Sequence, residues 1–416
     1  VRTATPEFAE ELTRRDRTHL ARVNVLYGGE VVAAGLRVNT GVVDNNRARS
    51  PRGHLNLTLA EPTLLPTPTS GVLSPLGYEI QVYCGAEIRG LQASVAYSGV
   101  LTDDQWVPLT DGSGRYILVP GGGAVFVAGA PDTEELLSLG VFPLQTAQVG
   151  IETLLTTVRA VDRTQWLIDD KLEADLAWPE PTGGDLETHV QRLIRTCPAL
   201  SDPEVCAFRF SGLSHTPPVL VFPQDTPKWD IIERMVQSVG YEAYFDGTGD
   251  FVWQPVPDIN SEPQFDIRTG VGGTITGGSI MLDREPAANK IIAVGGSSTE
   301  TAVYRAEAID DDPLSPTRYG GRFGRKQRTI RSSAYMSNAQ AQEAADAELR
   351  NNLGLAYAYD LSAVPDPRIE PGDVGRISVG RMDISLERII VDSVSYDLSP
   401  EAAMTVTARS RPEGNS

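Results

Sequence analysis

Much of the chain reads in steps of two. Val23, Val25 and Tyr27 alternate with other residues, Gly28-Gly29 turns the chain, and Val31-Val32 run back, which predicts a hairpin. Leu55, Leu57 and Leu59 alternate with His54, Asn56 and Thr58, as a strand with one buried face does. Ile80, Val82 and Cys84 repeat that period after a Pro75-Leu76-Gly77 turn, and Leu139–Phe142 and Thr157–Val161 predict further strands. Between them, Gly112-Ser113-Gly114 and Gly121-Gly122-Gly123 bracket Tyr116–Leu118, so 102–137 is read as a loop excursion. Residues 7–20, with Phe8, Leu12, Arg15, His19 and Leu20, predict one short amphipathic helix before the strands begin.

A Pro/Gly cluster from Trp178 to Gly184 marks a linker, and the period then changes. Leu186, Val190, Leu193 and Ile194 keep helical spacing. A second helix is expected with Thr226 as N-cap, Pro227 in its first position, an apolar face of Trp229, Ile232, Met235, Val236 and Val239, and Gly240 as terminator. A hairpin follows, Tyr241–Phe245 and Phe251–Trp253 around Asp246-Gly247-Thr248-Gly249. From Phe265 β signals return: Gly270–Gly278 reads as loose chain and Lys290–Val294 as a buried strand. Ser337 and Gln340 have capping-box spacing before a helix with Ala341, Ala344, Ala345, Leu349 and Leu353 on one face and Gly354 at its end. Strands over Leu355–Val364, Val374–Val379, Ser385–Leu398 and Ala403–Arg409 close the chain.

The resulting expectation is a mainly β protein with an α/β connector. An N-terminal helix and first β-barrel span 1–178, a small α/β domain spans 185–262, and a second β-barrel spans 263–416 with a loop and helix inserted at 306–354. A length of 416 residues suits such a multi-domain arrangement.

Composition narrows the partners. Lys+Arg 36 against Asp+Glu 55 leaves a net charge of -19, which repels a phosphate backbone and opposes stable nucleic-acid or anionic-membrane binding while permitting DNA to pass. No apolar run is long enough to span a bilayer. The first thirty residues carry Glu10, Glu11, Arg14, Arg15, Asp16 and Arg17 where a signal peptide has its apolar core, so neither a membrane anchor nor Sec export is expected. Cys84, Cys197 and Cys206 are odd in number, and reduced thiols are expected; a Cys197–Cys206 bridge is possible but not needed.

Candidate chemistry is sparse. The chain contains no GxSxG, HExxH or Walker A sequence, and Gly270-Val271-Gly272 does not continue into GxGxxG. His19, His54, His189 and His215 lack ligand-like spacing, so no metal or cofactor is expected. Asp310-Asp311-Asp312-Pro313 lacks the spacing of a calcium loop and reads as a solvated turn. Glu370 and Asp373 sit in an E-P-G-D turn whose carboxylates serve local structure rather than acid–base work. No catalytic residue is assigned. Arg318, Arg322, Arg325, Lys326, Arg328 and Arg331, interleaved with Tyr319 and Phe323, form a basic stripe. In so acidic a chain an ion-paired subunit contact suits it better than phosphate binding, and Arg318, Arg322, Phe323, Arg325 and Arg328 are the expected interface residues.

Several of these segments together resemble a known family. Asp310–Thr317, Gly321-Arg322-Phe323-Gly324, the capped Ala-rich helix, Val364-Pro365-Asp366-Pro367 and Glu370-Pro371-Gly372-Asp373-Val374 are similar to the C-terminal half of minor tail proteins from siphophages of actinobacteria. Arg22-Val23-Asn24-Val25, Leu76-Gly77-Tyr78-Glu79-Ile80 and Leu139-Gly140-Val141-Phe142 resemble the first barrel of the tail-tip (baseplate) hub proteins, and 226–257 resembles their small α/β domain. The stretch 102–137 departs from that pattern.

The resemblance implies a homotrimer whose two barrels per chain make a pseudo-sixfold ring between a hexameric tail tube and a threefold distal tip. It pairs 21–165 with about 266–410, although no sequence repeat is evident between them. The implied partners are further copies of the chain, a distal tail protein or tail-tube ring, the tape measure protein, tip or fibre proteins, and double-stranded DNA in transit. The implied place is the virion tail tip, after assembly in the host cytoplasm. The rivals are a cell-wall-degrading tail enzyme and a surface carbohydrate-binding module, the latter resting on Trp106, Tyr116 and Phe126.

Overall fold

The computed structural model describes residues 2–14, 17–59, 71–88, 133–153, 155–179, 181, 183–210, 214–282, 287–295, 304–332, 335, 337–352, 357–399 and 403–410, with four two-residue strand pieces between 94 and 126. The strands are β1 (His19–Tyr27), β2 (Glu30–Leu36), β3 (Val38–Asn46), β4 (Gly53–Leu59), β5 (Tyr78–Ile88), the pieces β6 (Ser94–Val95), β7 (Leu109–Thr110), β8 (Tyr116–Ile117) and β9 (Val125–Phe126), then β10 (Thr133–Val149) and β11 (Thr156–Val161). An α/β unit follows with α2 (Thr164–Asp169), β12 (Leu176–Trp178), α3 (Leu186–Arg195), β13 (Phe208–Phe210), β14 (Leu220–Phe222), α4 (Lys228–Ser238), β15 (Tyr241–Phe245) and β16 (Phe251–Pro255). The last part holds β17 (Phe265–Arg268), β18 (Ile275–Leu282), β19 (Lys290–Gly295), β20 (Arg305–Ile309), β21 (Gln327–Ser332), α5 (Asn338–Asn352), β22 (Tyr357–Ala363), β23 (Val374–Val379), β24 (Ile384–Asp397) and β25 (Met404–Ser410), and helix α1 (Pro6–Glu11) precedes everything.

The protein is mainly β with an α/β connector and an inserted helix. Thirteen strands from both ends of the chain form one continuous sheet, in the order β18-β22-β25-β24-β3-β4-β11-β10-β5-β1-β2, with β23 on β24 and β17 on β23. One core lies beneath it, and Leu55, Leu57, Val82 and Phe142 from the first half share it with Tyr359, Leu361, Val394 and Met404 from the second. The α/β unit has its own core around Trp178, Ile194, Ile232, Met235 and Trp253. Strands β20-β19-β21 pack against α5 around Ile291, Ala293, Ala341 and Ala345 as a smaller insert.

Local chemistry explains most of the elements. Gly28 and Gly29 take φ of +60° and +84° between Tyr27 and Glu30, the geometry a two-residue hairpin turn needs. Thr5 caps α1, Asp185 caps α3 by accepting from the Thr188 amide at 2.9 Å, and Ser337 Oγ accepts from the Gln340 amide at 3.1 Å at the start of α5.

Other expectations need correcting. The first helix stops at Glu11 because His19 and Leu20 already belong to β1, paired with Ala86 and Gly85. Pro227 rather than Thr226 is the N-cap of α4, since Thr226 Oγ1 turns back to the Pro223 carbonyl at 2.6 Å. The loose stretch ends at Gly273, because residues from Ile275 onward pair with β22. Residues 133–137 belong to β10, not to an excursion, while most of 102–132 with Trp106, and Leu353, Gly354 and Leu355, lie outside the described residues.

A tandem repeat also emerges. In chain order β3, β4, β5, β10 and β11 correspond to β18, β22, β23, β24 and β25, and the ladders agree in register. Val38 faces Leu59 and Thr40 faces Thr58 across a bulge, as Ile275 faces Ala363 and Gly277 faces Ser362. Leu144 faces Ala160 and Thr146 faces Arg159 across a second bulge, as Val391 faces Ala408 and Ser393 faces Thr407. Leu57 faces Val158 as Leu361 faces Val406. With this register, Leu55-Asn56-Leu57-Thr58 stands over Tyr359-Asp360-Leu361-Ser362, and Thr157-Val158-Arg159-Ala160 over Thr405-Val406-Thr407-Ala408. Segments this short are invisible as a repeat until pairing aligns them. The two halves differ in what their connections carry: β3 and β4 are joined by a short turn, whereas β18 and β22 enclose the β19–α5 insert.

Candidate functional site

Arginine–carboxylate contacts join the parts of the molecule. Arg163, which precedes α2, donates through Nε and Nη2 to Glu79 Oε1 and Oε2 at 2.7 and 2.9 Å, and its Nη1 reaches the carbonyls of Val205 and Gly249 at 2.6 and 2.7 Å. One guanidinium thus binds β5 to two loops of the α/β unit, with both charged groups buried and paired. Arg47 and Arg52, in the β3–β4 turn, both donate to Glu242 Oε2 of β15, at 2.6 and 3.0 Å. Burial pushes the Glu242 carboxyl up, but Arg52 and Arg47 more than offset it and hold it below the ordinary glutamate range. Arg2 pairs with Glu370 at 2.8 Å while donating to the carbonyls of Pro367 at 2.6 Å and Leu139 at 3.2 Å, so the N-terminal segment bridges both β halves.

A cleft of about 820 Å³ lies between the β3–β4 turn, α4 with β15, and β21 with α5. Several of its charges are paired in place: Arg47 and Arg52 on Glu242, Arg409 on Asp392 at 3.0 Å, and Arg328 on Glu348 at 3.1 Å, while Arg331 and Glu233 also line it. The arrangement is chemically that of a charged joint. Among the described residues no three His, Cys, Asp or Glu side chains come together as a metal site, and no helix is long and apolar enough to cross a membrane.

The other acidic candidates hold local structure. Asp373 Oδ2 accepts from the Glu370 amide at 2.7 Å across a turn where Gly372 has φ of +99°. Asp310 is not a solvated turn residue: it is buried, and accepts from Ser315 Oγ at 2.6 Å and Thr317 Oγ1 at 2.8 Å. His19 lies on β1, His54 on β4 and His189 on α3, and His215 Nδ1 is 2.6 Å from Glu187 Oε1. Cys84, Cys197 and Cys206 are buried free thiols, so the Cys197–Cys206 bridge is absent.

Of the stripe residues, Arg318, Arg322, Arg325 and Arg328 are exposed and Phe323 is half-buried. Arg318 to Arg325 lie in the loop between β20 and β21, where the Arg325 guanidinium stands 5.5 Å from the Tyr319 ring centre. Arg328 is on β21 and turns to α5. Tyr116 and Phe126 lie on two-residue strands whose side chains fall outside the described residues.

Sequence reading missed a different feature, the unfinished edges of the large sheet. Among the described residues no strand pairs with the outer edge of β2 or β18, or with the β5 side of β10 beyond Pro143. Large apolar side chains stand exposed there: Val31 and Val32 on β2, Met281 on β18, and Ile151 just past β10, the last 92% exposed. The shared T-V-x-A segment was the one sequence signal of the repeat behind this pattern.

No protein-family model matches the sequence, and no curated protein matches it. Solved structures do. A tail protein from Neisseria meningitidis MC58 superposes with a TM-score of 0.59 at 12% identity, covering 95% of this chain and 98% of that one. The 43 kDa tail protein of prophage MuSo2 from Shewanella oneidensis superposes with a TM-score of 0.53 at 10% identity, covering 95% of this chain and 100% of that one. The fold is the one these two tail proteins have.

Proposed function

We propose that the chain is a structural hub of the tail tip of a long-tailed phage. Three copies form a ring that joins a hexameric tail tube to a threefold distal tip and surrounds the path of tape measure and DNA. The observation that carries this reading is the repeat: each chain holds two β halves with the same strand order, register and bulges, so three chains present six equivalent units to a sixfold tube. The whole-length likeness to two tail proteins supports it. So does the chemistry, because buried arginine–carboxylate joints make a rigid body and the described clefts hold no catalytic constellation.

The work of the hub is packing, not catalysis. The division near 178 and 262 into two β halves and a connector belongs to this proposal, as do contacts with a distal tail or tube ring, the tape measure protein and tip or fibre proteins. A net charge of -19 suits a conduit through which DNA moves without being held. Arg318, Arg322, Phe323, Arg325 and Arg328 are the residues this reading places at an ion-paired subunit contact.

Two measurements test this. Light scattering across a concentration series is expected to give three times 44.9 kDa. Antibody labelling of intact particles is expected to mark the end of the tail; label on capsids or along the tail shaft would refute the assignment.

A further inference from the structure

The seam that joins the two β halves inside one chain has a counterpart with one side missing. Within the chain, β24 pairs antiparallel with β3: Val394 faces Asn45, Ser395 faces Asp44, Tyr396 faces Val43 and Asp397 faces Val42. Just beyond, the Leu398 amide donates to the Gly41 carbonyl at 2.9 Å. Leu398 is 2% exposed, and a Cβ placed on Gly41 would lie 3.2 Å from its Cδ1.

The repeat carries each partner to a second position. β10 stands for β24 and β18 for β3, so Ala147, Gln148 and Val149 take the places of Val394, Ser395 and Tyr396, and Leu282, Met281 and Ile280 those of Asn45, Asp44 and Val43. Gly278 takes the place of Gly41. A Cβ on Gly41 would meet Leu57 Cδ1 at 2.9 Å and the Asn56 carbonyl at 3.1 Å; one on Gly278 would meet the equivalent Leu361 Cδ2 at 3.2 Å and Asp360 carbonyl at 2.5 Å. The third neighbour, Leu398, has Ile151 as its equivalent. The turn agrees too, because Gly150 donates to the Leu155 carbonyl at 3.0 Å as Asp397 donates to Ala403 at 3.1 Å.

What differs is burial. Leu398, Tyr396, Val394 and Val43 are buried, while Ile151 is 92% exposed and Val149, Ala147 and Ile280 are only half-buried. β10 and β18 lie in opposite halves of the chain and are not paired with each other. We infer that β18 of one copy pairs antiparallel with β10 of the next, with Gln148 opposite Met281, Val149 opposite Ile280, and Ile151 packed on Gly278 of the neighbour. The occupant of both open edges is therefore a second copy of this chain. Because the two edges are different surfaces, the contact is head-to-tail and propagates until a ring closes. This deepens the hub reading and rests on it for the copy number of three.

The test joins the two edges covalently. Oxidised Q148C/M281C protein is expected to run on non-reducing gels as a ladder ending in a closed oligomer, whereas Q148C and M281C alone give no ladder. S395C/D44C, on the observed internal seam, is the control that cross-links without gain in mass. Ile151→Asp is expected to shift the native mass to monomer, which still melts cooperatively but at a temperature that no longer depends on protein concentration. An oligomer that survives Ile151→Asp and shows no 148–281 cross-link overturns the seam while leaving the hub assignment intact. A chain that stays monomeric at every concentration without cross-linking also overturns it. Failure of the tail-end label would instead remove the hub assignment and leave the seam to be judged by the cross-link.

Discussion

Arg163 and Glu79 form a bidentate pair, at 2.7 and 2.9 Å, in which the side chains are 2% and 1% exposed. Removing one partner of such a pair leaves the other charge buried, which costs about 3–5 kcal/mol. Arg163→Met is therefore expected to lower unfolding free energy by about that amount in urea titrations. Glu79→Leu combined with Arg163→Met is expected to recover part of the loss, since neither charge then remains. Recovery stays incomplete because Arg163 also holds the Val205 and Gly249 carbonyls.

Glu242 gives a signed pH dependence. Its folded pKa lies below its unfolded value of about 4.3. Its stabilisation is thus complete above that range and is lost as pH falls through the folded value. Glu242→Gln is expected to be less stable than the parent by about 3 kcal/mol at neutral pH. That gap should shrink on acidification below about pH 4. Thermal melts of both proteins across that range check the sign; a gap that widens toward acid contradicts it.

Leu398 and Ile151 occupy equivalent positions with opposite exposure, 2% and 92%. Leu398→Ala is expected to cost about 2–5 kcal/mol of fold stability at any protein concentration. Ile151→Ala should leave monomer stability within about 0.5 kcal/mol and act only on the concentration dependence of melting. Calorimetry at two concentrations separates these behaviours.

The thiols are predicted to be silent in the folded state. Burial pushes Cys84 up to about 12 and Cys197 up to about 11, and raises Cys206. Because the thiolate is the reactive form, a disulfide reagent at neutral pH is expected to find no rapidly reacting group in native protein. After denaturation it should titrate three. A single group after denaturation without reductant would instead reveal a Cys197–Cys206 bridge, and two groups one modified cysteine.

What could be read from sequence was local. Leu55, Leu57 and Leu59 declare one buried face by their spacing, Asp246-Gly247-Thr248-Gly249 declares a turn, and Ser337 with Gln340 declares a helix start, because each signal depends on neighbours within a few residues. Where expectation failed, a distant partner had prevailed: Ala86 draws His19 into a strand, and Ala363 does the same for Ile275. The basic stripe was legible as charge, yet nothing local announced that Arg328 turns to Glu348 on α5.

Sequence alone therefore determined the mainly β class, the presence of helices within it and the acidic net charge of the chain. Tertiary structure decided that the two halves share one sheet and one core, that they repeat each other bulge for bulge, and that Leu398 is buried on Gly41 while Ile151, its equivalent, stands exposed. The reason is physical. Alternation records which face of a strand is buried, but backbone N–H and C=O groups are the same in every residue, so register and pairing are settled only when distant strands meet and the side chains on both faces must fit.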